Sequence, residues 1–172
     1  AGALRSAFRI ADNEGIKKYA PLVIESKKAG NDDKAAAWYY LAKTYYRIND
    51  LQKAYEAFDK SGQLAANNQA AESRYMMAEV QYKLSNVQKA EDLCNKANDL
   101  NASYPYWIAR SLILLSDIYT GKKDLFNARA ALEAVLENFP DDQELRNEAT
   151  QRLKKVEELE KSGSRIKPTG ST

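Results

Sequence analysis

The chain is 172 residues long, 44% hydrophobic and 29% charged, with a formal net charge of +2 from 26 basic and 24 acidic residues. It holds no histidine and one cysteine, Cys94, which excludes His-based triads, imidazole metal sites and an intramolecular disulfide. The charges are mixed along the chain and form no one-signed stripe, so nucleic acid is not an expected partner.

Alanine is abundant, and the glycines and prolines fall between helix-like runs, which favours an all-helical chain. Leu4, Phe8 and Ala11 recur at helical spacing before Asn13-Glu14-Gly15 breaks the run. A second helix carries Ile16, Tyr19, Ala20, Val23 and Ile24. Pro21 lies inside it and predicts a kink, or a boundary near Lys18 to Ala20. Gly30 is expected as a left-handed cap ahead of an acidic helix start at Asp32 and Asp33.

The stretch from Trp38 to Ser61 is the most informative. Trp38, Leu41, Ala42 and Tyr45 share one side of a 3.6-residue helix. Ala54 and Phe58 share a face of a second helix, and Asn49 or Asp50 can cap its start. Helical runs from Ala70 to Leu84 and from Val87 to Asn98 follow, broken at Ser85-Asn86. Pro105 suits the first turn of the most apolar helix, which reaches Tyr119. Gly121 to Asp124 turns the chain, and Leu125 to Asn138 returns. Pro140-Asp141-Asp142 stops that helix and starts a last one, with Leu145, Ala149, Leu153, Val156 and Leu159 on one stripe. Residues 162–172 have no period and read as a disordered tail or linker. No run of about 18 apolar residues is present to span a bilayer. The chain begins at Ala1 without an initiator Met, and an excised fragment or a processed product of a longer chain is the expected explanation.

The breaks repeat. Arg47-Ile-Asn-Asp-Leu-Gln-Lys-Ala54 matches Lys83-Leu-Ser-Asn-Val-Gln-Lys-Ala90 in chemical type, and Thr120 to Ala128 is a looser third copy. Around the aligned alanines, Leu41-Ala42 answers to Met77-Ala78 and Leu115-Ser116. Phe58 answers to Cys94 and Leu132, and Ser61 to Ala97 and Val135. A hairpin of this size cannot bury its apolar face alone, so neighbours must stack and the ends need caps.

Trp38, Leu41, Ala42, Tyr45, Ala54 and Phe58 resemble the tetratricopeptide repeat, with Ala42 where the pattern usually has Gly. The second unit is degenerate, with Arg74 in place of Trp38 and Gln81 in place of Tyr45. The third recovers Tyr119, Ala128 and Pro140. The resemblance implies an all-α, right-handed superhelix of antiparallel helix hairpins. Its units are a degenerate N-terminal repeat over 1–30, mostly its second helix, then units 31–68, 69–103 and 104–140. A capping helix covers 141–161. Large bacterial multi-repeat proteins, including cell-envelope assembly factors, look like its relatives.

In this family ligands are held on the concave face by the first helix of each unit. The candidates carried over are Tyr39, Lys43, Tyr46 and Arg47, then Glu72, Tyr75, Glu79, Tyr82 and Lys83, then Arg110, Ile113 and Asp117. A tyrosine there offers rigid apolar area with one polar tip; the alternative is that these tyrosines pack between neighbouring helices or merely decorate the surface. The family's clamp for acidic C-terminal peptides is not expected, because its places hold Tyr39, Lys43, Met76, Arg110 and Leu114 and both clamp asparagines are missing. Met76-Met77 reads as gap filling and Cys94 as a buried inert thiol. Asn101-Ala-Ser103 fits a glycosylation sequon but reads better as a turn.

The expectation is a non-enzymatic scaffold without metal or cofactor that takes a protein or peptide segment in its groove. The alternative is a structural spacer or self-association module of a longer envelope protein, packing on preceding repeats. The implied address is the periplasmic side of a bacterial envelope or the cytoplasm.

Overall fold

A computed structural model describes residues 1–164, which hold nine helices and no strand. They are α1 (Gly2–Arg9), α2 (Asn13–Ile24), α3 (Asn31–Arg47), α4 (Leu51–Leu64), α5 (Asn68–Lys83), α6 (Val87–Leu100), α7 (Pro105–Gly121), α8 (Leu125–Asn138) and α9 (Gln143–Ser164). The chain forms two compact units, Ala1–Trp107 and a second from Ile108 onward.

The hairpins close by one repeated device. Ala11, Asn49, Ser85 and Lys123 each take a left-handed backbone, with φ of 56°, 61°, 62° and 62°. The N–H groups of the residues that follow, Asp12, Asp50, Asn86 and Asp124, donate to Ala7, Tyr45, Gln81 and Tyr119 carbonyls at 2.9 Å each. This six-to-one bond ends the first helix of each pair. The same residue then begins the second helix. The Asp12 carboxylate accepts the Gly15 N–H at 2.9 Å, Asp50 accepts from Lys53 at 3.3 Å, and Asp124 from Asn127 at 3.2 Å. One residue therefore satisfies the end of one helix and the start of the next.

The aligned interior positions fill as the repeat requires. Ala54, Ala90 and Ala128 are fully buried, as are Phe58, Cys94 and Leu132. Ala42 and Ala78 are fully buried and Ser116 is 1% exposed. The Ser116 hydroxyl donates to the Ile113 carbonyl of its own helix at 2.7 Å, so a polar atom is tolerated there. Ile16 occupies the alanine's place in the first hairpin and is also fully buried. In the second unit Leu145, Ala149 and Val156 of α9 are buried, while Leu159 at the end of the expected stripe is 38% exposed.

Several expectations change. α2 runs unbroken through Pro21. The proline sits near the helix end, where it forfeits one bond, and burial of Ile16, Ala20 and Val23 on one face carries the helix past it. Gly30 is no left-handed cap: its φ of −73° and ψ of 171° place it as the extended residue before α3. Residues 1–30 contain both helices of a hairpin, joined by the shared turn. α9 includes Ser162, whose hydroxyl donates to the Leu159 carbonyl at 2.8 Å. Residues 162–164 of the expected tail are thus helical, and residues 165–172 lie outside the described residues.

Two substitutions follow from these positions. Ala11→Gly relieves a β-carbon in the left-handed region, and we expect a gain of about 0.5–1 kcal/mol. Ser61 is fully buried and its hydroxyl has no hydrogen-bond partner among the described residues. Ser61→Ala, the residue found at the aligned Ala97, is expected to gain about 1 kcal/mol. Urea titration of each variant checks both; a loss of stability would contradict the assignment.

Candidate protein-interaction face

On α3, Tyr39, Lys43, Tyr46 and Arg47 are four, three and one residues apart, which keeps them on one side of the helix. On α5, Glu72, Tyr75, Glu79, Tyr82 and Lys83 repeat that logic. The structure brings the two sets together. Tyr39 donates its hydroxyl to Glu72 Oε2 at 2.8 Å, and Lys43 Nζ reaches Glu72 Oε1 at 2.7 Å. Tyr46 donates to Glu79, and Lys83 Nζ stands 4.2 Å from the centre of the Tyr46 ring. The candidates of neighbouring first helices are therefore bonded to one another, and both carboxylates of α5 on this face are engaged.

Several candidates are also packed inside. Tyr39 and Tyr75 are 7% and 6% exposed, and Ile113 is 3% exposed. Tyr39 lies against Phe8 and Tyr40, with ring centroids 6.0 and 5.7 Å away. Tyr75 stacks on Trp107 at 5.7 Å, and Trp107 donates its indole N–H to Asn68 at 2.9 Å. Burial, the Glu72 charge and the bond to Glu72 push the Tyr39 hydroxyl far above the usual tyrosine range. Burial and the bond to Glu79 do the same to Tyr46.

The candidates of the second unit form a separate set. Arg110 pairs with Glu148 of α9 at 2.6 Å, and Asp117 takes Arg152 of α9 at 3.0 Å. Arg152 also reaches Glu148 at 3.3 Å, so α7 and α9 share an alternating ladder of charges.

An opening lies on the α1–α3 side. A cleft of about 390 Å³ is lined by Phe8, Lys43, Tyr46 and Arg47. Phe8 stacks on Tyr40 at 4.2 Å and is half-buried. Arg47 is exposed and makes no hydrogen bond or ion pair among the described residues. The sequence places Phe8 on an apolar helix face but not among the candidates for this face. The signal was present: Arg9-Ile-Ala-Asp12 repeats Arg47-Ile-Asn-Asp50.

Arg74, the residue that replaces the motif tryptophan, has a different task. Its guanidinium donates to the Gly62 and Ala65 carbonyls at 2.9 and 3.0 Å and to Asn101 Oδ1 at 3.0 Å. Asn101 is fully buried and donates its amide to the Ala71 carbonyl at 3.0 Å, so the folded chain offers no nitrogen there for glycosylation. Burial pushes the Cys94 thiol up to about 12, which keeps it protonated at neutral pH. Among the described residues no cluster of His, Cys, Asp or Glu has the grouping of a metal site. No described helix is long and apolar enough to cross a membrane.

Paired first and second helices, three aligned hairpin interiors and a shared turn define a helical repeat protein. Two family matches and the similar folds together support a tetratricopeptide repeat protein. Residues 106–142 match the family described as tetratricopeptide repeat, and residues 19–97 match one described as anaphase-promoting complex, cyclosome, subunit 3. Among solved structures, a Podosopora anserina kinesin light chain with nearly identical TPR-like repeats is similar at 16% identity and a TM-score of 0.65. The match covers 94% of this chain and 96% of that one. BtubC from P. vanneervenii is similar at 15% identity and a TM-score of 0.65, over 98% and 79% of the two chains. MamA protein is similar at 21% identity and a TM-score of 0.64, over 99% and 95%. Identities this low bear on the fold alone. No curated protein matches the chain.

The buried tyrosines give two expectations. Tyr39→Ala should cost about 3–5 kcal/mol of stability, because it removes a buried aromatic ring. Truncating this residue therefore reads folding, which circular dichroism and urea titration will show. The second concerns alkaline pH. The unfolded chain ionises tyrosine near the ordinary value of 10.0, while the folded Tyr39 and Tyr46 hydroxyls stay protonated. Their contribution is complete below about pH 10, begins to fall there, and is lost progressively as pH climbs towards the raised values of the folded hydroxyls. Urea titrations from about pH 8 to about pH 11 should show a fall in stability that Tyr39→Phe with Tyr46→Phe makes shallower.

Proposed function

We propose that the chain is a protein-interaction scaffold that holds a segment of a partner protein in the cleft between α1 and α3. The observation that carries this reading is the contrast on that face. Tyr39, Lys43, Tyr46, Glu72 and Glu79 bond to one another, whereas Arg47 stands unpaired at a cleft with aromatic walls. An arginine held beside aromatic surface suits an interface: it offers planar donors without a prior ion pair to break. Tetratricopeptide repeats generally mediate protein–protein contact, and one matched family is described as a subunit of a complex. The fold is typical of non-enzymatic scaffolds, and the protonated Cys94 thiol is no nucleophile.

A photo-crosslinking residue in place of Arg47 tests this in producing cells. We expect a discrete protein adduct there and none from the same residue in place of Lys60, which is exposed on α4. Equal adducts at both sites, or none at Arg47, would overturn the reading.

A second reading rests on another cleft, of about 330 Å³, whose lining includes Ala3, Leu4, Tyr19, Leu22 and Val23. Leu22 is 63% exposed beside it. This surface suits self-association through the first hairpin. Leu22→Glu should then remove any concentration-dependent rise in sedimentation coefficient; a wild-type chain that stays monomeric would rule it out.

A further inference from the structure

Neighbouring first helices meet through one contact that recurs with different residues. Between α3 and α5 the Tyr46 hydroxyl donates to Glu79, and Lys83 Nζ lies 4.2 Å from the centre of the Tyr46 ring. The left-handed turn residues Ala11, Asn49 and Ser85 give the register that carries this contact back by one hairpin. Phe8 then holds the place of Tyr46, Lys43 that of Glu79 and Arg47 that of Lys83. Those three residues, with Tyr46, line the cleft of about 390 Å³.

The cleft is therefore the counterpart of a closed contact that lacks two groups. Phenylalanine has no hydroxyl to donate, and a lysine replaces the carboxylate that would accept it. Glu72, the other carboxylate between α3 and α5, answers to Ala36. The backbones of α1 and α3 also approach each other less closely than those of α3 and α5. Among the described residues the lining holds two cations and no carboxylate.

Nearby acids are committed elsewhere. Glu72 accepts from Tyr39 and from Lys43 at 2.7 Å, and Glu79 accepts from Tyr46. Asp33 pairs with Arg5 at 3.0 Å, and Asp50 with Lys53 at 2.8 Å. Arg47 makes no hydrogen bond or ion pair among the described residues. Its planar fork of donors matches a carboxylate, and the bond to Glu72 uses one of the three donors on Lys43. A carboxylate brought in by another chain restores the order of cation, carboxylate and aromatic ring that closes the next contact. Phe8 offers that chain an aromatic face and no polar group, so an apolar side chain belongs beside the acid.

We infer that the cleft selects an acidic segment of its partner protein, with an Asp or Glu side chain between Lys43 and Arg47 and a neighbouring apolar side chain on Phe8. The inference rests on the cleft being a partner site and adds the chemistry that chooses the partner.

The probe is a phage library of random short peptides, selected on the full chain and on its Arg47→Glu variant. Arg47 is exposed at the end of α3, so both chains should share one circular dichroism spectrum. We expect the wild type to enrich peptides with Asp or Glu beside an apolar residue, and Arg47→Glu to lose them. In fluorescence anisotropy, changing the acid of an enriched peptide to its amide should weaken binding at least about tenfold, as should Arg47→Gln. The two changes together should cost less than the product of their separate effects. Enriched peptides without an acid, equal selection of acidic peptides by Arg47→Glu, no enriched peptide, or an acid that can be amidated without loss would overturn the inference. So would an Arg47-dependent rise of sedimentation coefficient with concentration in the absence of peptide, since that gives the cleft to a second copy. A photo-crosslinking phenylalanine in place of Phe8 keeps Arg47 and separates the two failures. A protein adduct there with a dispensable acid retains the cleft and discards the acid, whereas no adduct at either position discards both.

Discussion

Close approach of helices at small side chains is the constraint on which the fold depends. Ala54, Ala90 and Ala128 are fully buried at the same point of three successive second helices, and Ala42 and Ala78 do the same for first helices. A larger side chain at such a point must displace a whole helix, because interiors are packed too densely to absorb it. In the first hairpin the small residue is missing, and Ile16 holds its place fully buried.

That constraint explains how much was legible in the sequence. The aligned alanines and the turn between hairpins are local signals, fixed by spacing, so the helices and their order could be read directly. The first hairpin was harder to read because Ile16 breaks the alanine register, although its Arg9-Ile-Ala-Asp12 turn keeps the pattern. The boundary expected near Pro21 is absent because burial of Ile16, Ala20 and Val23 on one face outweighs a rule about one residue, whereas Gly30 is the extended residue before α3 rather than a left-handed cap. The candidate face was half legible. Helical spacing placed Tyr39, Lys43, Tyr46, Glu72 and Glu79 on common faces, but it carries no information about which side chains bond across helices. The assignment of Tyr39 and Tyr75 as open contact residues therefore becomes one of buried packing, while Arg47 stays accessible.

The polar pairs between α3 and α5 do more than fill a surface. Glu72 is 9% exposed and serves two donors from the preceding hairpin. A buried carboxylate of this kind is costly unless its partners are in place. It therefore disfavours stacking the same helices out of order, where those donors would be lost. The α7–α9 pairs, built from Arg110, Glu148, Arg152 and Asp117, use opposite charges for the same task within the second unit.

The Arg74 bonds have a further consequence. In a chain of stacked hairpins, stability is a sum of unit terms and nearest-neighbour couplings, so units open and close by degrees. Arg74 joins the end of α4, the start of α5 and the end of α6 through Gly62, Ala65 and Asn101. Those helices are thereby welded into one cooperative block. α1, with eight residues and only Leu4 and Ala7 buried, is tied to its neighbours by fewer buried side chains than that block. Among the described helices, opening α1 should therefore cost less than opening α4 to α6, which move only together.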